Sequence, residues 1–417
     1  MNFKKKLSFT TKVLIGLILG IVVGVTLNLF APQSFNIALG KWVLGPIGDM
    51  FLRGIKMVVA PLVLFSLICG TASIKDIKKL GRVGGKIISY YMLTTAVAIT
   101  LALAFANILK PGVGNIQIPP PQNFTPTEAP FIMDMFVKMI PTNPFEALVK
   151  GDMLQIIVFA ILSGIALTMI GKKAEPLVKL FEQINEVLLK IIGIVMGFAP
   201  YAVFALLSKV IMDQGVDVLI SLFKYVFVVV LLLFIYTFGV NGLCLRILGK
   251  LNPITFFKKY LDVMLVAFST SSSNASIPIN LKTCNEKLGV EESISSFTIP
   301  LGATINMNGT AIMQGVAAIF IAQVFNLNLS LQQQLMVILV ATLSSIGTAG
   351  VPSAGIVMLT MVLQQVGLPI EGAALVLSVD RIVDMFRTTA NVTGDAVGTV
   401  IVANSEKELD REIYYKK

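Results

Sequence analysis

Long apolar runs separated by short polar connections fill the first 260 residues of the chain. A helix that crosses a bilayer needs roughly 20 apolar residues, and these runs are long enough. Alternate connections are rich in Lys and Arg, the asymmetry that orients multi-span proteins. These basic connections, predicted to be cytoplasmic, are 72–86, 172–180 and 246–260. The predicted spans lie near 12–30, 40–70, 85–109, 153–171, 181–208 and 217–245.

The pattern changes after residue 260, where clusters of small polar residues interrupt apolar sequence. The clusters are "STSSSNAS" at 269–276 and "SSIGTAGVPSAG" at 344–355, and no charged residue occurs from Ser293 to Ile370. Each cluster would break a helix, and unpaired backbone inside a bilayer is costly unless it faces protein or a water-filled cavity. We therefore expect two re-entrant helical hairpins. Two kinked spanning helices that pack through Ser and Gly are the alternative.

Each expected hairpin precedes a long helix in which we expect a polar break. The first break is "TINMNGT" at 304–310, and the second is "DRIVDMFRTTANVTGD" at 380–395. A hairpin followed by a broken helix thus occurs twice, and inverted repeats of this kind place a transporter's site near the membrane midplane. The predicted fold is an all-α polytopic membrane protein with eight transmembrane helices and two re-entrant hairpins. Both termini are predicted to be cytoplasmic.

Composition supports a membrane protein and excludes several chemistries. Of 417 residues, 55% are hydrophobic and 13% charged, against about 25% charged in soluble domains. The net charge of +10 does not indicate nucleic acid, because the basic residues lie in the short connections, where membrane lipid is the expected partner. The chain has no histidine, which excludes His-based triads, metal sites and proton relays. Its three widely spaced cysteines predict no disulfide framework.

Polar residues form a stripe in the last long helix. Their separations of 4, 3, 4 and 4 residues put them on one helix face, over about 22 Å at 1.5 Å per residue. Each charge at bilayer depth costs at least about 2.5–3.5 kcal/mol, which suggests a function. The stripe consists of Asp380, Asp384, Arg387, Asn391 and Asp395, with Thr388 beside it.

The stripe has the chemistry to bind an acidic amino acid and a cation. Counted alone, three aspartates against Arg387 leave two negative charges, and carboxylate, amide and carbonyl oxygens suit a hard ion such as Na⁺. Arg387 can bind a carboxylate bidentately, and Asp384 can hold an ammonium group. Helix N-termini at the hairpin tips offer N–H groups to a second carboxylate. Alternatively, Asp384–Arg387 and Asp380–Arg381 are ion pairs that hold helices together.

Four motifs in order, "SSSNASIP", "NMNGT", "SIGTAGVP" and "DMFRTTANVTGD", give the chain a specific resemblance. Over essentially its whole length it resembles the dicarboxylate/amino acid:cation symporter family. The resemblance implies a homotrimer, an elevator mechanism and a second hairpin that acts as a gate. It also implies alternating scaffold and transport parts. These are scaffold helices in 1–71, a third helix of the transport domain in 72–110, scaffold helices with an external loop in 111–250, and the transport core in 251–417.

The resemblance also implies the residues that hold substrate and ions. The substrate contacts carried over by motif are Ser271, Ser273, Thr310, Val351, Gly355, Asp384, Arg387, Thr388 and Asn391. One sodium site would use Gly302, Asn306, Asn391 and Asp395. A second would use Thr304, Ser345, Ile346 and Thr348. A third would use Tyr91, Thr94, Thr95, Asn306 and Asn308.

The chain departs from the family pattern at three places. Many sodium-coupled members have Asp where this chain has Asn308, so a carboxylate is missing from the third site. Archaeal relatives carry an Arg at the position of Ser271. This chain has Arg381 instead, at a different position, so the family's role for that arginine is not carried over to it. Gln314 stands where proton-moving animal members have Glu. The resemblance therefore implies two or three Na⁺ per substrate, with proton coupling as an alternative.

The sequence predicts a non-enzymatic symporter of the cell membrane that takes up aspartate or glutamate with Na⁺. A proton-coupled acidic amino acid symporter and a transporter of neutral amino acids or C4-dicarboxylates are alternatives of the same fold. Arg387 argues against a neutral substrate, and Asp384 argues against a dicarboxylate, which lacks an amino group. An intramembrane aspartyl enzyme would need two aspartates on facing helices, whereas Asp380 and Asp384 share one. A channel is a further alternative, but no segment has the sequence pattern of a permanent selectivity filter.

Overall fold

The computed structural model describes residues 9–72, 81–114, 137, 139–215, 217–345 and 354–416. Within these ranges the secondary structure is helical, apart from one antiparallel bridge between Val290 and Leu409. The first helices are α1 Phe9–Phe30, α2 Gln33–Leu39, α3 Gly45–Ala72, α4 Gly81–Leu109, α5 Pro144–Lys150, α6 Met153–Ile170, α7 Glu175–Gly197 and α8 Ala199–Gln214. The next are α9 Asp217–Phe234, α10 Asn241–Ile247, α11 Pro253–Thr270, α12 Ser273–Glu286, α13 Glu292–Ile305 and α14 Asn308–Val324. The last are α15 Leu331–Ser345, α16 Ala354–Gln365, α17 Ala373–Glu406 and α18 Arg411–Tyr415.

Several helical stretches have the length and apolar composition of membrane spans, which confirms a helical multi-span protein. A π-helical turn, Ile235–Val240, joins α9 to α10, so that the predicted span near 217–245 is one continuous rod. Among the described residues, the span-length stretches are Thr11–Phe30, Arg82–Leu109, Gln155–Gly197, Asp217–Ile247 and Glu292–Val324.

The predicted span near 181–208 is wrong in its boundaries. The structure divides this region into α7 and α8, which meet at Phe198. Pro200 lies in the first turn of α8. Because proline lacks a backbone N–H and fits the first turn of a helix, it starts a new helix rather than continuing the old one. An apolar run alone does not reveal this break.

A glycine seam joins α1 to α8. Gly16, Gly20 and Gly24 recur every four residues and face α8, where a Cβ at Gly20 would lie 3.1 Å from the Phe204 carbonyl oxygen. At Gly24 a Cβ would lie 2.8 Å from Ile211 Cβ. Small residues at this spacing let two helix backbones approach closely, the usual way in which helices pack in a membrane.

Polar clusters end helices where the sequence predicts. Helix α11 stops at Ser271, which has a left-handed φ of +50°, and Ser272 caps α12 by accepting a hydrogen bond from the Ala275 N–H at 3.3 Å. Helices α11 and α12 pack together as the first hairpin. Helices α15 and α16 also pack together, and the predicted tip of this second hairpin lies outside the described residues.

Of the two polar breaks predicted in the long helices, the structure contains one. Asn306 and Met307 separate α13 from α14, as "TINMNGT" predicts. The break predicted at 380–395 is wrong, since α17 is one helix of 34 residues. Its hydroxyls accommodate the helix: Thr389 and Thr393 donate to the carbonyls of Met385 and Thr389 at 2.9 and 2.7 Å. No proline interrupts the stretch. Its charged side chains pair with one another along the helix face, and the backbone hydrogen bonds of the helix stay intact.

The stripe lies at the centre of the molecule. Helix α14 is buried along nearly its whole length and packs against α4, α9 and α17. The first hairpin, α13 and α8 also pack on α17. A helix that is hydrophobic all round is buried, and α14 lies between α17 and the helices α4 and α9.

Candidate functional site

Arg387 forms a buried ion-pair cluster with two aspartates of its own helix. Its Nε and Nη2 donate to Asp384 Oδ1 at 3.1 and 2.5 Å, and its Nη1 donates to Asp380 Oδ1 at 3.3 Å. All three side chains are buried. These contacts use three of the five guanidinium N–H donors, so two remain for a ligand as far as the described residues show.

Arg381, to which the sequence assigns no role, belongs to the same cluster. Its Nη1 lies 3.5 Å from Asp384 Oδ2, and the side chain is buried. The buried charges of α17 are therefore three carboxylates and two guanidiniums, which leave one negative charge. Counting the aligned stripe alone gave two negative charges, and that count is too high because it omits a buried cation one residue off the stripe.

Asp395 is the carboxylate that lies apart from the arginines. It is 1% exposed, and its Oδ1 accepts a hydrogen bond from Asn306 Nδ2 at 2.8 Å. A Cβ at Gly302 would lie 2.7 Å from both Asp395 Oδ1 and Tyr91 Oη. The absence of a side chain at Gly302 thus lets α13 approach the carboxylate. The Asp395 carboxylate and the Asn391 backbone carbonyl oxygen both accept from Asn306 Nδ2 here, and carboxylate and carbonyl oxygens suit a hard cation.

Asn391 fixes the break between α13 and α14 to the stripe. Its Oδ1 accepts from the Gly309 backbone N–H at 2.7 Å, and its Nδ2 donates to Thr310 Oγ1 at 3.3 Å. A Cβ at Gly309 would lie 2.5 Å from the Arg387 carbonyl oxygen, so the backbones nearly touch. The side chain of Asn391 satisfies a backbone group that the break would otherwise leave unpaired.

Five residues of the third predicted ion site come together between α4 and the break. Thr95 Oγ1 donates to Asn308 Oδ1 at 2.5 Å, and Tyr91 Oη lies 3.4 Å from the Asp395 carbonyl oxygen. Asn308 Nδ2 lies 2.6 Å from Asn306 Oδ1 and 3.4 Å from Thr94 Oγ1.

Two tyrosines complete the surroundings and were missed from the sequence. Tyr236 Oη accepts from Asn308 Nδ2 at 2.7 Å, and Tyr260 Oη lies 2.8 Å from both Asn280 Oδ1 and the Val392 carbonyl oxygen. Both side chains are fully buried. A buried tyrosine usually has a hydrogen-bond partner for its hydroxyl. A tyrosine inside an apolar span was therefore the sequence signal that could have indicated these two residues. The π-helical turn that holds Tyr236 is of a kind frequent at functional sites.

Of the remaining predicted residues, the structure describes some and does not describe others. Ser271 and Ser273 are buried at the turn of the first hairpin, and Thr388 is buried on α17. A Cβ at Gly355 would lie 2.7 Å from Arg387 Cζ, so the start of α16 lies against the guanidinium. Thr304 and Ser345 hydrogen-bond to nearby carbonyls of their own helices. Ile346, Thr348 and Val351 lie outside the described residues.

Comparison with known proteins gives one consistent match. The profile of the sodium:dicarboxylate symporter family matches residues 9–405. The proton/sodium-glutamate symport protein of Bacillus caldotenax is 38% identical over 98% of this chain and 97% of its own length. The proton/glutamate-aspartate symporter of Escherichia coli (strain K12) is 35% identical over 98% and 95%. The C4-dicarboxylate transport protein of Bacillus subtilis (strain 168) is 33% identical over 97% and 94%.

Proposed function

Since this chain belongs to the sodium:dicarboxylate symporter family, we propose that it is a secondary active symporter that takes up aspartate or glutamate with Na⁺. The family and the matched relatives are transporters rather than enzymes. The observation that carries the substrate assignment is the buried Arg387, which lies against the start of α16 and pairs with Asp384. Its contacts with the described residues use three of its five N–H donors. A guanidinium fork binds a carboxylate, and a neighbouring carboxylate binds an ammonium group.

Charge balance supports coupling to cations. The buried groups of α17 carry one net negative charge, and an acidic amino acid adds a second. Uncompensated charge is costly in a low-dielectric interior, so the loaded protein needs about two cations to become neutral. One cation would bind Asp395 with oxygens of Gly302, Asn306 and Asn391. A second would bind carbonyls of Thr304 and of the segment from Ser345 to Thr348.

Transport would follow an elevator mechanism in a homotrimer of the cell membrane, with both termini in the cytoplasm. Residues 1–71 and most of 111–250 would form the scaffold, and 72–110 with 251–417 would move with the second hairpin as gate. The continuous helix 217–247 packs against α4, α14 and α17. That packing favours placing 217–247 with the moving part.

A C4-dicarboxylate substrate is the second candidate, favoured by the relative from Bacillus subtilis. Asp384 separates the two because its carboxylate attracts the ammonium group of an acidic amino acid, which a C4-dicarboxylate lacks. We expect purified protein to bind aspartate or glutamate at least tenfold more tightly than succinate or malate. Asp384→Asn should reduce that preference. Tighter binding of succinate by the unaltered protein would replace the amino acid assignment.

A further inference from the structure

The side-chain nitrogen of Asn308 is surrounded by oxygen atoms from three parts of the chain, namely the break between α13 and α14, the π-helical turn and α4. Nδ2 lies 2.6 Å from Asn306 Oδ1, 2.7 Å from Tyr236 Oη and 3.4 Å from Thr94 Oγ1. Asn308 is 1% exposed and Asn306 is fully buried. Several oxygens directed at one point form the environment that a hard cation takes. In this protein an amide NH₂ group occupies that point.

Neighbouring groups fix which end of the amide points inward. Asn306 Nδ2 lies 2.8 Å from Asp395 Oδ1 and 3.2 Å from the Asn391 carbonyl oxygen, and both partners are acceptors. Asn306 must therefore turn its own Oδ1 toward Asn308. Only the NH₂ end of Asn308 can pair with that oxygen, while Thr95 donates to Asn308 Oδ1 at 2.5 Å. The Asp395 carboxylate thus sets the direction of the chain of amides that ends at Tyr236.

The backbone of α17 leaves room for this arrangement. A Cβ at Gly394 would lie 2.6 Å from Asn306 Nδ2 and 3.5 Å from Asn308 Nδ2. The amides are therefore packed directly on the helix that carries Asp395. Donor hydrogens of Asn308 already satisfy the oxygens that would otherwise attract an ion at this point.

We propose that the Asn308 amide takes the place of one co-transported cation, so that the carrier moves two cations with each acidic amino acid rather than three. This proposal rests on the proposed function. Two monovalent cations and one substrate of charge −1 neutralise the single negative charge of α17. A carboxylate at position 308 would add a negative charge and remove both donors. It would then face Asn306 Oδ1 with like partial charge and require a cation between them.

The experiment compares the unaltered protein with Asn308→Asp in nanodiscs at pH 8.5, where a carboxyl group is ionised unless burial shifts it strongly. Without substrate, Na⁺-dependent thermal stabilisation is measured against choline. We expect Asn308→Asp to gain stabilisation by Na⁺ relative to the unaltered protein. Asn326→Asp is the matched control, because it makes the same substitution at an exposed position outside the site and should leave the Na⁺ response near the unaltered one.

Linkage then counts the ions that accompany the substrate. The slope of log Kd for aspartate against log Na⁺ concentration should be about two for the unaltered protein and about three for Asn308→Asp. In proteoliposomes, net charge per substrate should rise from about one to about two. A slope of three in the unaltered protein, or an unchanged Na⁺ response in Asn308→Asp at pH 8.5, would overturn the proposal. If neither protein bound acidic amino acids, the proposed function would fail, whereas the substrate-free Na⁺ data would still decide the role of the amide.

Discussion

Replacement of Arg387 by Ala should abolish recognition of acidic substrates. Arg387 is buried, and two of its five N–H donors remain after its contacts with Asp380 and Asp384. A hydrogen bond to a charged group contributes about 1.5–3 kcal/mol, so two such bonds to a substrate carboxylate contribute about 3–6 kcal/mol. Their loss should raise Kd for aspartate by about 10²- to 10⁴-fold.

The assay is equilibrium binding of labelled aspartate to purified protein in nanodiscs at saturating Na⁺. Loss of Arg387 also leaves two buried aspartates beside Arg381, and breaking a buried ion pair costs about 3–5 kcal/mol. A double variant, Arg387→Ala with Asp380→Asn, therefore restores the charge balance and serves as the folding control. Arg387→Lys keeps the charge without the planar fork and should give an intermediate affinity. If the double variant bound aspartate with an affinity within tenfold of the unaltered protein, Arg387 would not be the group that binds the substrate carboxylate.

Two glycines and a tyrosine lie in tight contacts that substitutions can test. Gly302→Ala puts a Cβ 2.7 Å from Asp395 Oδ1 and should raise the Na⁺ concentration for half-maximal aspartate binding at least tenfold. Gly193→Ala, which meets nothing within 4 Å, should leave it unchanged. Gly24→Val overfills the seam between α1 and α8 and should destabilise the fold by about 1–3 kcal/mol; a melting temperature equal to that of Gly193→Val would contradict the close packing. Tyr260→Phe removes the hydroxyl between Asn280 and Val392 and should cost about 1–3 kcal/mol, measured by thermal unfolding. Unchanged stability would show that the hydroxyl does not hold the first hairpin on α17.

Local chemistry explains which parts of the fold could be predicted. Clusters of Ser and Asn end helices at two of the predicted places, so the turn at Ser271 and the break at Asn306 follow from the sequence. The break predicted in 380–395 failed because charged residues were treated as helix breakers. In the structure their side chains pair along one face of α17, and the backbone ladder stays intact.

The site was predictable as a set of residues on one face but not as a network. Helical spacing aligns Asp384 with Arg387, whereas the burial of Arg381 depends on which helices pack around α17. The contacts of Tyr236 and Tyr260 join segments far apart in the chain. No short-range pattern specifies such contacts. The direction of the Asn306 and Asn308 amides likewise follows from Asp395, about 90 residues away along the chain.

Na⁺-driven uptake of an acidic amino acid can be measured in a reconstituted system. Proteoliposomes that contain the purified protein are given labelled aspartate with Na⁺ and pH gradients imposed separately. We predict concentrative uptake with an inward Na⁺ gradient at equal pH, and none with a proton gradient in the absence of Na⁺. Uptake that follows the proton gradient and ignores Na⁺ would show that the protein is not a Na⁺-coupled symporter.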